Sequence, residues 1–285
     1  PTQGNLWLQA KGANAFGFSR PEDVSTNPRD GTEVIFASTG VDTFAVDEAT
    51  GNGADTFGTL YTIKTDFTGV DFGKFPGSST PTASVTILYD GDADPDRALR
   101  NPDNLDWADD GFIYVQEDEA EEDTLSGDEV LFGPGAANSN EASIVKVNPA
   151  DGSVTTVAEI DRSILLDPTT DGEPVDTDVD RAGEWETSGI LDVSTLFGEP
   201  AGTLFLFDVQ AHGIEDQDNF NPGSRITDGD LVEGGQLSFL SVGGPTSPFA
   251  IDPATGVISV ADQALLDEEI SSMTLLITAS DGTNA

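Results

Sequence analysis

Short apolar runs bounded by glycine, aspartate or proline follow one another along almost the whole 285-residue chain. Many of them alternate between apolar and polar residues, which is the period of a half-buried β-strand. Helical periodicity is nearly absent, with one short turn expected at Asp192–Phe197. The pattern therefore predicts an all-β protein, with its clearest strands at Asn5–Ala10, Glu33–Thr39, Gly58–Thr65, Ala83–Tyr89, Gly111–Gln116, Ser143–Asn148, Ser153–Ile160, Gly202–Gln210 and Gly235–Leu240.

The turn sequences between the strands suggest how they are connected. At Val145–Val157, two apolar runs flank the turn Asn148-Pro149-Ala150-Asp151-Gly152, as in the hairpin of a propeller blade. The sequence pattern changes at Gly243-Gly244-Pro245, and we interpret this segment as a hinge. The sequence therefore predicts a β-propeller portion over residues 1–242 and a separate module over residues 243–285. We expect the propeller to be incomplete and to consist of its C-terminal blades.

The charge of the chain excludes some partners and favours others. There are 53 acidic residues against 11 basic ones, a formal net charge of −42. Nucleic acid and anionic membranes need a cationic surface, so neither is expected as a partner, and no apolar run is long enough for membrane insertion. The acidic residues suit solvation in a salty medium and also binding of Ca²⁺, which prefers oxygen ligands. The chain has no cysteine and therefore no disulfide bonds. We expect bound calcium to stabilise the fold instead, in a secreted, periplasmic or cell-surface protein.

Acidic residues beside rigid turn residues are the candidate metal ligands. An ordinary surface carboxylate is most often only solvated. That interpretation weakens for Glu117, because the apolar run before it carries the side chain toward the interior. The strand ends of a propeller converge on one channel, so ligands need no fixed spacing along the chain. The candidates are Glu22, Asn104, Glu117, Asp118 and Glu186, with turn or supporting roles as the alternative for Asp118.

Two further residues have chemistry that suits catalysis. Arg20 precedes Pro21 and Glu22, and its planar guanidinium suits an oxyanion, although pairing with an acid to hold the turn is the alternative. His212 is the only histidine and follows the apolar run that ends at Gln210. It is a candidate ligand or general acid, with a structural role at a strand end as the alternative.

Several of these segments together resemble one known family. In order along the chain they are Ser19–Asp23, Asn101–Leu105, Tyr114–Asp118, Glu184–Ile190 and Asp208–His212, and they resemble the PhoX-type alkaline phosphatases, in particular their cyanobacterial branch. The resemblance implies a β-propeller that hydrolyses small phosphomonoesters with an iron–calcium cluster, so that Ca²⁺ and also Fe³⁺ are the expected cofactors. It implies metal-binding roles for Glu22, Glu117 and Glu186 and a phosphate contact for Arg20. The family's iron ligand is a cysteine, which this chain lacks.

The C-terminal module has a resemblance of its own. Phe249–Val260, Leu266–Glu269 and Ile277–Gly282 resemble the second half of a cadherin-type repeat, an Ig-like β-sandwich. That resemblance implies calcium ligation by Asp267, Glu269 and Asp281, and homophilic or surface contacts. A generic Ig-like pair of strands is the alternative. Separately, Asp90–Asp96 mimics a calcium-binding loop but lacks the glycine and the closing glutamate of that motif.

Two functions from different classes follow from these observations. The first is a secreted metal-dependent phosphohydrolase, similar to an alkaline phosphatase. The second is a calcium-rigidified adhesion or surface-binding protein without turnover. A propeller can support both, so the fold alone does not decide between them.

Overall fold

The computed structural model describes residues 3–40, 55–74, 80–94, 96–118, 138, 140–161, 175–176, 185–215, 231–242, 249–251 and 258–260. The chain divides into two compact units, residues 1–242 and residues 243–285. Strands dominate the described residues, and every pair of neighbouring strands among them is antiparallel. The all-β prediction is therefore confirmed.

The first unit contains three short helical segments and twelve strands in its described residues. The helical segments are α1 (Gln3–Gly12), a 3₁₀ turn (Phe72–Lys74) and α2 (Ser194–Phe197). The strands are β1 (Pro21–Thr26), β2 (Glu33–Ser38), β3 (Thr59–Asp66), β4 (Thr82–Asp90), β5 (Pro102–Trp107), β6 (Ile113–Glu117), β7 (Ser143–Val147), β8 (Val154–Glu159), β9 (Val175–Asp176), β10 (Glu186–Asp192), β11 (Leu204–Glu215) and β12 (Leu231–Ser241).

The predicted strand at Asn5–Ala10 is wrong, because these residues belong to α1. Leucine, glutamine, alanine and lysine all favour helix. The alternation that suggested a strand buries no apolar face, since Leu6 is 54 % exposed and Leu8 is 60 % exposed. The short turn expected at Asp192–Phe197 is confirmed as α2.

The strands form three four-stranded sheets. Sheet I has the order β1-β2-β3-β4, and sheet II has the order β5-β6-β7-β8. Sheet III has the order β10-β11-β12, with β9 paired to the far end of β11. In sheets I and II each strand pairs with the next one along the chain. The predicted hairpin at Val145–Val157 is confirmed as β7 and β8, with Gly152 at a φ of 72° in the turn.

Two apolar layers hold the sheets together. The first joins sheets I and II, and its centre includes Ile35, Leu60, Leu105 and Val115, all 3 % exposed or less. The second joins sheets II and III through Tyr114, Ile144, Ile190 and Phe205, among others. Full burial of such a side chain stabilises the fold by about 1.5–3 kcal/mol. Each sheet is therefore packed face to face against the next one along the chain.

The first strands of the three sheets, β1, β5 and β10, lie side by side. Ser25 in β1 accepts a hydrogen bond from the backbone N–H of Trp107 in β5 at 3.0 Å. Asp106 in β5 accepts one from the backbone N–H of Asp192 in β10 at 2.6 Å. The register of each of these strands shifts near its start, after Pro21, Pro102 and Ser188 respectively. Such bulges bend a strand and re-aim its side chains, and they are frequent next to functional sites.

The second unit is described only in part. Its described residues form one antiparallel hairpin, β13 (Phe249–Ile251) with β14 (Ile258–Val260). Asp267, Glu269 and Asp281 lie outside the described residues, so their calcium-binding role and the cadherin-like architecture stay predictions. Among the helices that the structure describes, none has the length and apolar character needed to span a bilayer.

Candidate functional site

The backbone at Arg20 takes an uncommon conformation directly before β1. Its φ is 53°, in the left-handed region that residues other than glycine rarely adopt. The backbone N–H of Thr39 donates to the Arg20 carbonyl at 2.9 Å, and that bond ties the start of β1 to the end of β2. Pro21 follows at once with its φ fixed by its ring. The local sequence thus aims the Arg20 side chain along the start of the first strand of sheet I.

Arg20 connects sheet I to sheet II through two acidic side chains. Its Nη2 atom lies 2.7 Å from Asp118 Oδ2, directly beyond the end of β6, and its Nε atom lies 3.5 Å from Glu22 Oε1. The Arg20 and Glu22 side chains are about one-third exposed, and that of Asp118 is 14 % exposed. The structure thus brings together three of the residues that the sequence predicted as site residues.

Asp103 is a fourth member of this group, and the sequence analysis did not select it. Burial raises the pKa of its carboxyl to about 6, the negative charges of Asp118 and Glu22 add to the increase, and Arg20 opposes it. A signal for it existed. Asn101-Pro102-Asp103 repeats the pattern of Arg20-Pro21-Glu22, and Asn101 also has a positive φ, of 41°. We call Arg20, Glu22, Asp103 and Asp118 the Arg20 cluster.

Asn104 and Asp23 occupy equivalent places in the bulges of β5 and β1. The side-chain amide of Asn104 donates to Asp103 Oδ2 at 2.7 Å, which places it at the edge of the Arg20 cluster. Asp23 accepts from the backbone N–H of Leu105 at 3.0 Å and so joins the two strands. Asn104 therefore contacts an acid that was not among the predicted ligands, and its metal-binding role stays a prediction, whereas Asp23 joins β1 to β5.

Glu117 is buried as predicted, but its contacts give it a structural role. Its side chain and that of Arg100 are both 0 % exposed, and Arg100 Nη2 lies 3.1 Å from Glu117 Oε2. The backbone N–H groups of Arg100 and Ser143 donate to the two carboxylate oxygens at 2.8 and 2.9 Å. Burial raises the pKa of Glu117, and the charge of Arg100 opposes the increase. Both oxygens accept hydrogen bonds within a buried ion pair, and the predicted metal-binding role of Glu117 stays a prediction.

Glu186 and His212 lie in sheet III. Glu186 begins β10 and is 6 % exposed, and the Gln210 side-chain amide donates to its Oε1 at 2.9 Å. His212 belongs to β11, and its side chain lies outside the described residues, so its predicted catalytic or structural role stays a prediction. The metal-binding role of Glu186 likewise stays a prediction.

The calcium-like loop at Asp90–Asp96 uses its acids to fix backbone. Asp92 Oδ2 accepts from the N–H of Thr56 at 3.0 Å, and Asp94 Oδ2 accepts from the Tyr89 hydroxyl at 2.7 Å. Burial raises the pKa of nearby Asp55 to about 6, and the charge of Asp92 adds to this. Through these contacts the Asp92 and Asp94 carboxylates stabilise the conformation of the loop.

The donor atoms of the Arg20 cluster suit a bound metal, but the spacing of its acidic side chains does not. Its carboxylates are the hard oxygen donors that Ca²⁺ prefers. Within the described ranges, however, no three histidine or acidic side chains are grouped closely enough to hold a metal ion. The described residues therefore do not form a complete metal site by themselves.

Comparisons with known proteins give the family. A family model, alkaline phosphatase PhoX, matches residues 4–163, which include the whole Arg20 cluster. The chain therefore belongs to the PhoX alkaline phosphatase family. A solved structure of Pseudomonas fluorescens PhoX in complex with vanadate, a transition-state analogue, is similar, with 15 % identity and a TM-score of 0.45. That similarity covers 82 % of this chain and 36 % of the Pseudomonas chain, so this chain spans about one-third of that protein. No curated protein matches.

Proposed function

We propose that this chain is part of a secreted metal-dependent phosphohydrolase that cleaves small phosphomonoesters, with Arg20 as a phosphate-binding residue. The observation that carries the proposal is the position of Arg20. It stands at the start of the first strand of sheet I, across from Asp118 at the end of β6, within the part of the chain that the family model matches.

The proposed architecture is an incomplete β-propeller in which sheets I, II and III are consecutive blades. Support comes from the outward face of sheet I, where Val24, Phe36, Tyr61 and Ile87 form one apolar row across all four strands. Phe18 packs on Phe36 and Tyr61 in the middle of this row, whereas Val24 and Ile87 at its ends are more than half exposed. An apolar row on the face opposite sheet II is what a blade between two neighbours requires.

Sheet III has the same property on its outward face. There Leu191, Leu206 and Phe239 form an apolar row, with Leu191 53 % exposed and Phe239 58 % exposed. Faces of this kind on both sides of the three-sheet stack match the apolar faces that already pack between the sheets. They support further blades on each side.

The charge of the Arg20 cluster supports a requirement for bound cations. One arginine stands among Glu22, Asp103 and Asp118, so a phosphate would meet an excess of negative charge. Burial raises the pKa of Asp103 to about 6, and the charges of Asp118 and Glu22 add to the increase. A cation lowers this barrier. Ca²⁺ and Fe³⁺, which the family resemblance implies, are the cofactors that we propose.

The role of Arg20 follows from its shape. A guanidinium presents a planar pair of N–H donors to two phosphoryl oxygens, while an ammonium offers a single point of charge. Donors held in place before charge develops stabilise the transition state without reorganising. In the hydrolysis that we propose, water attacks phosphorus, the bond to the alcohol oxygen breaks, and the alcohol leaves with a proton. Arg20 binds the phosphoryl oxygens throughout.

The experiment is a p-nitrophenyl phosphate assay of the full-length protein at alkaline pH. The protein is measured with calcium and iron present, after chelation, and after the cations are restored. The proposal expects turnover that chelation removes and cations restore. A folded, cation-loaded protein without turnover would contradict it and favour the adhesion function instead. Secretion, or a periplasmic or cell-surface location, belongs to the same proposal and is tested by fractionation.

A further inference from the structure

A partly enclosed cavity of about 230 Å³ lies between sheets II and III, on the far side of sheet II from sheet I. Ile144 and Ala158, which pair across β7 and β8, contribute one wall. Trp185 and Thr187 contribute the opposite wall together with Phe207. None of these residues belongs to the Arg20 cluster, so the cavity is a separate feature.

Thr187 places an unused polar atom in the wall of this cavity. The residue is 5 % exposed, and its Oγ1 atom has no hydrogen-bond partner. A buried hydroxyl without a partner is costly, so nearly all such groups in folded proteins are satisfied. Because Thr187 lines the cavity, a ligand within the cavity could supply the missing partner.

The remaining lining limits the size and charge of that ligand. An apolar cavity of about 150 Å³ accepts benzene, so about 230 Å³ accommodates one ring with a short polar group. Trp185 and Phe207 provide aromatic surface, and cations are attracted to the faces of aromatic rings. Among the described lining residues, Glu159 and Asp161 are acidic and none is basic. An anion is therefore disfavoured.

We propose that the cavity binds a small organic amine with one aromatic or branched aliphatic group. The apolar group lies between Ile144 and the Trp185–Phe207 wall, and the amine donates a hydrogen bond to Thr187 Oγ1. The negative wall at Glu159 and Asp161 selects the protonated amine. The site does not depend on the proposed phosphatase activity.

The test is isothermal titration calorimetry of the full chain at moderate ionic strength with four probes. The probes are 2-phenylethylamine, the uncharged 2-phenylethanol, the anionic 3-phenylpropionate, and ethylamine, which lacks the ring. The proposal expects 2-phenylethylamine to bind at least about tenfold more tightly than each of the others, since charge and ring both contribute. Equal affinity for ethylamine would mean that the acidic protein attracts any small cation nonspecifically, and it would overturn the proposal.

Three variants place the binding at the cavity. Thr187→Val keeps the shape but removes the hydroxyl, so amine affinity should fall about fivefold, the effect of one hydrogen bond. Ala158→Leu fills the cavity and should lower affinity by more than about tenfold. Thr155→Val, on an exposed position of β8, is the matched control and should bind like the parent. Absence of binding by the parent, or unchanged binding by both cavity variants, would overturn the proposal.

Discussion

Arg20 Nη2 lies 2.7 Å from Asp118 Oδ2, and this contact connects the start of β1 in sheet I with the end of β6 in sheet II. The two residues are 98 positions apart in the sequence. The pair is only partly buried, and ion pairs that solvent can reach typically contribute little to stability, about 0–1 kcal/mol. The main effect of the Arg20–Asp118 contact is to fix the position of the Arg20 guanidinium. It holds that group among carboxylates at the place where the first strands of sheets I and II meet.

Glu117→Gln should destabilise the protein strongly. The change removes the carboxylate that pairs with the fully buried Arg100, and breaking a buried pair in this way costs about 3–5 kcal/mol. Denaturant unfolding measures the effect, with the exposed Glu199→Gln as control. Metal content per folded molecule separates the two roles of Glu117. A stable variant with lower metal content would restore the predicted ligand role.

Calcium should stabilise the protein through the Arg20 cluster. A ligand that binds only the folded state stabilises it by about 2.7 kcal/mol at a hundredfold excess over Kd. Glu22→Gln and Asp118→Asn each remove one charged oxygen donor, so the increase in Tm on adding calcium should be smaller in both than in Glu199→Gln. Differential scanning calorimetry at fixed ionic strength measures this. The same increase in all variants would place any calcium elsewhere.

Asp103→Asn should change how stability depends on pH. Folding raises the pKa of Asp103 from 3.8 to about 6, so its ionised form destabilises the folded state. The penalty is complete above pH 6, and it disappears as pH falls from 6 to about 4. At pH 7 the variant should be more stable than the parent by roughly 1–2 kcal/mol, after allowing for solvent screening.

Denaturant unfolding of parent and variant across this pH range tests the assignment. The difference in stability between them should shrink toward zero as pH falls below about 4. The exposed Asp96→Asn serves as control and should follow the parent. A stability difference that is constant with pH would show that Asp103 titrates normally.

Apart from β9, the outer and middle strands of each sheet could be predicted from the sequence, whereas β1, β5 and β10 could not. β2, β3, β6 and β7 are apolar runs with clear turns on either side. β1, β5 and β10 instead contain Pro, Asp, Asn or Gly, which favour turns in isolation. Tertiary contacts override those preferences, since the bulges re-aim the polar side chains and neighbouring strands satisfy the backbone.

For the site, too, local sequence patterns did not reveal the tertiary contacts. Arg20, Glu22 and Asp118 were predicted from local motifs, and the structure brings them together. Asp103 was missed because its environment comes from residues about 80 positions earlier and from the end of β6. The apolar run before Glu117 correctly indicated burial, but no local pattern showed that Arg100 would neutralise it. A single sequence does not show which charged residues, far apart along the chain, pair in the folded protein.

The second unit should be dispensable for turnover. The chain divides between residues 242 and 243, and the Arg20 cluster lies entirely in the first unit. Ending the full-length protein after Pro245 should therefore leave kcat/KM for p-nitrophenyl phosphate within about twofold of the parent value. Circular dichroism confirms that the truncated protein is folded. A folded truncation that has lost activity would place part of the site in the second unit.

The central claim is that Arg20 binds the phosphoryl group, and kcat/KM of Arg20→Lys in the full-length, cation-loaded protein tests it most directly. The change keeps the charge and loses the planar pair of donors. Loss of a donor that stabilises the transition state costs about 2.7–4 kcal/mol, so kcat/KM should fall by about 10²–10³-fold. Arg29→Lys is the matched control, because the Arg29 side chain donates only to the backbone carbonyls of Asp109 and Asp110 among its described contacts. Turnover in Arg20→Lys equal to that of Arg29→Lys, with Tm slightly lowered, would contradict the claim and leave Arg20 as a residue that only holds the turn before β1.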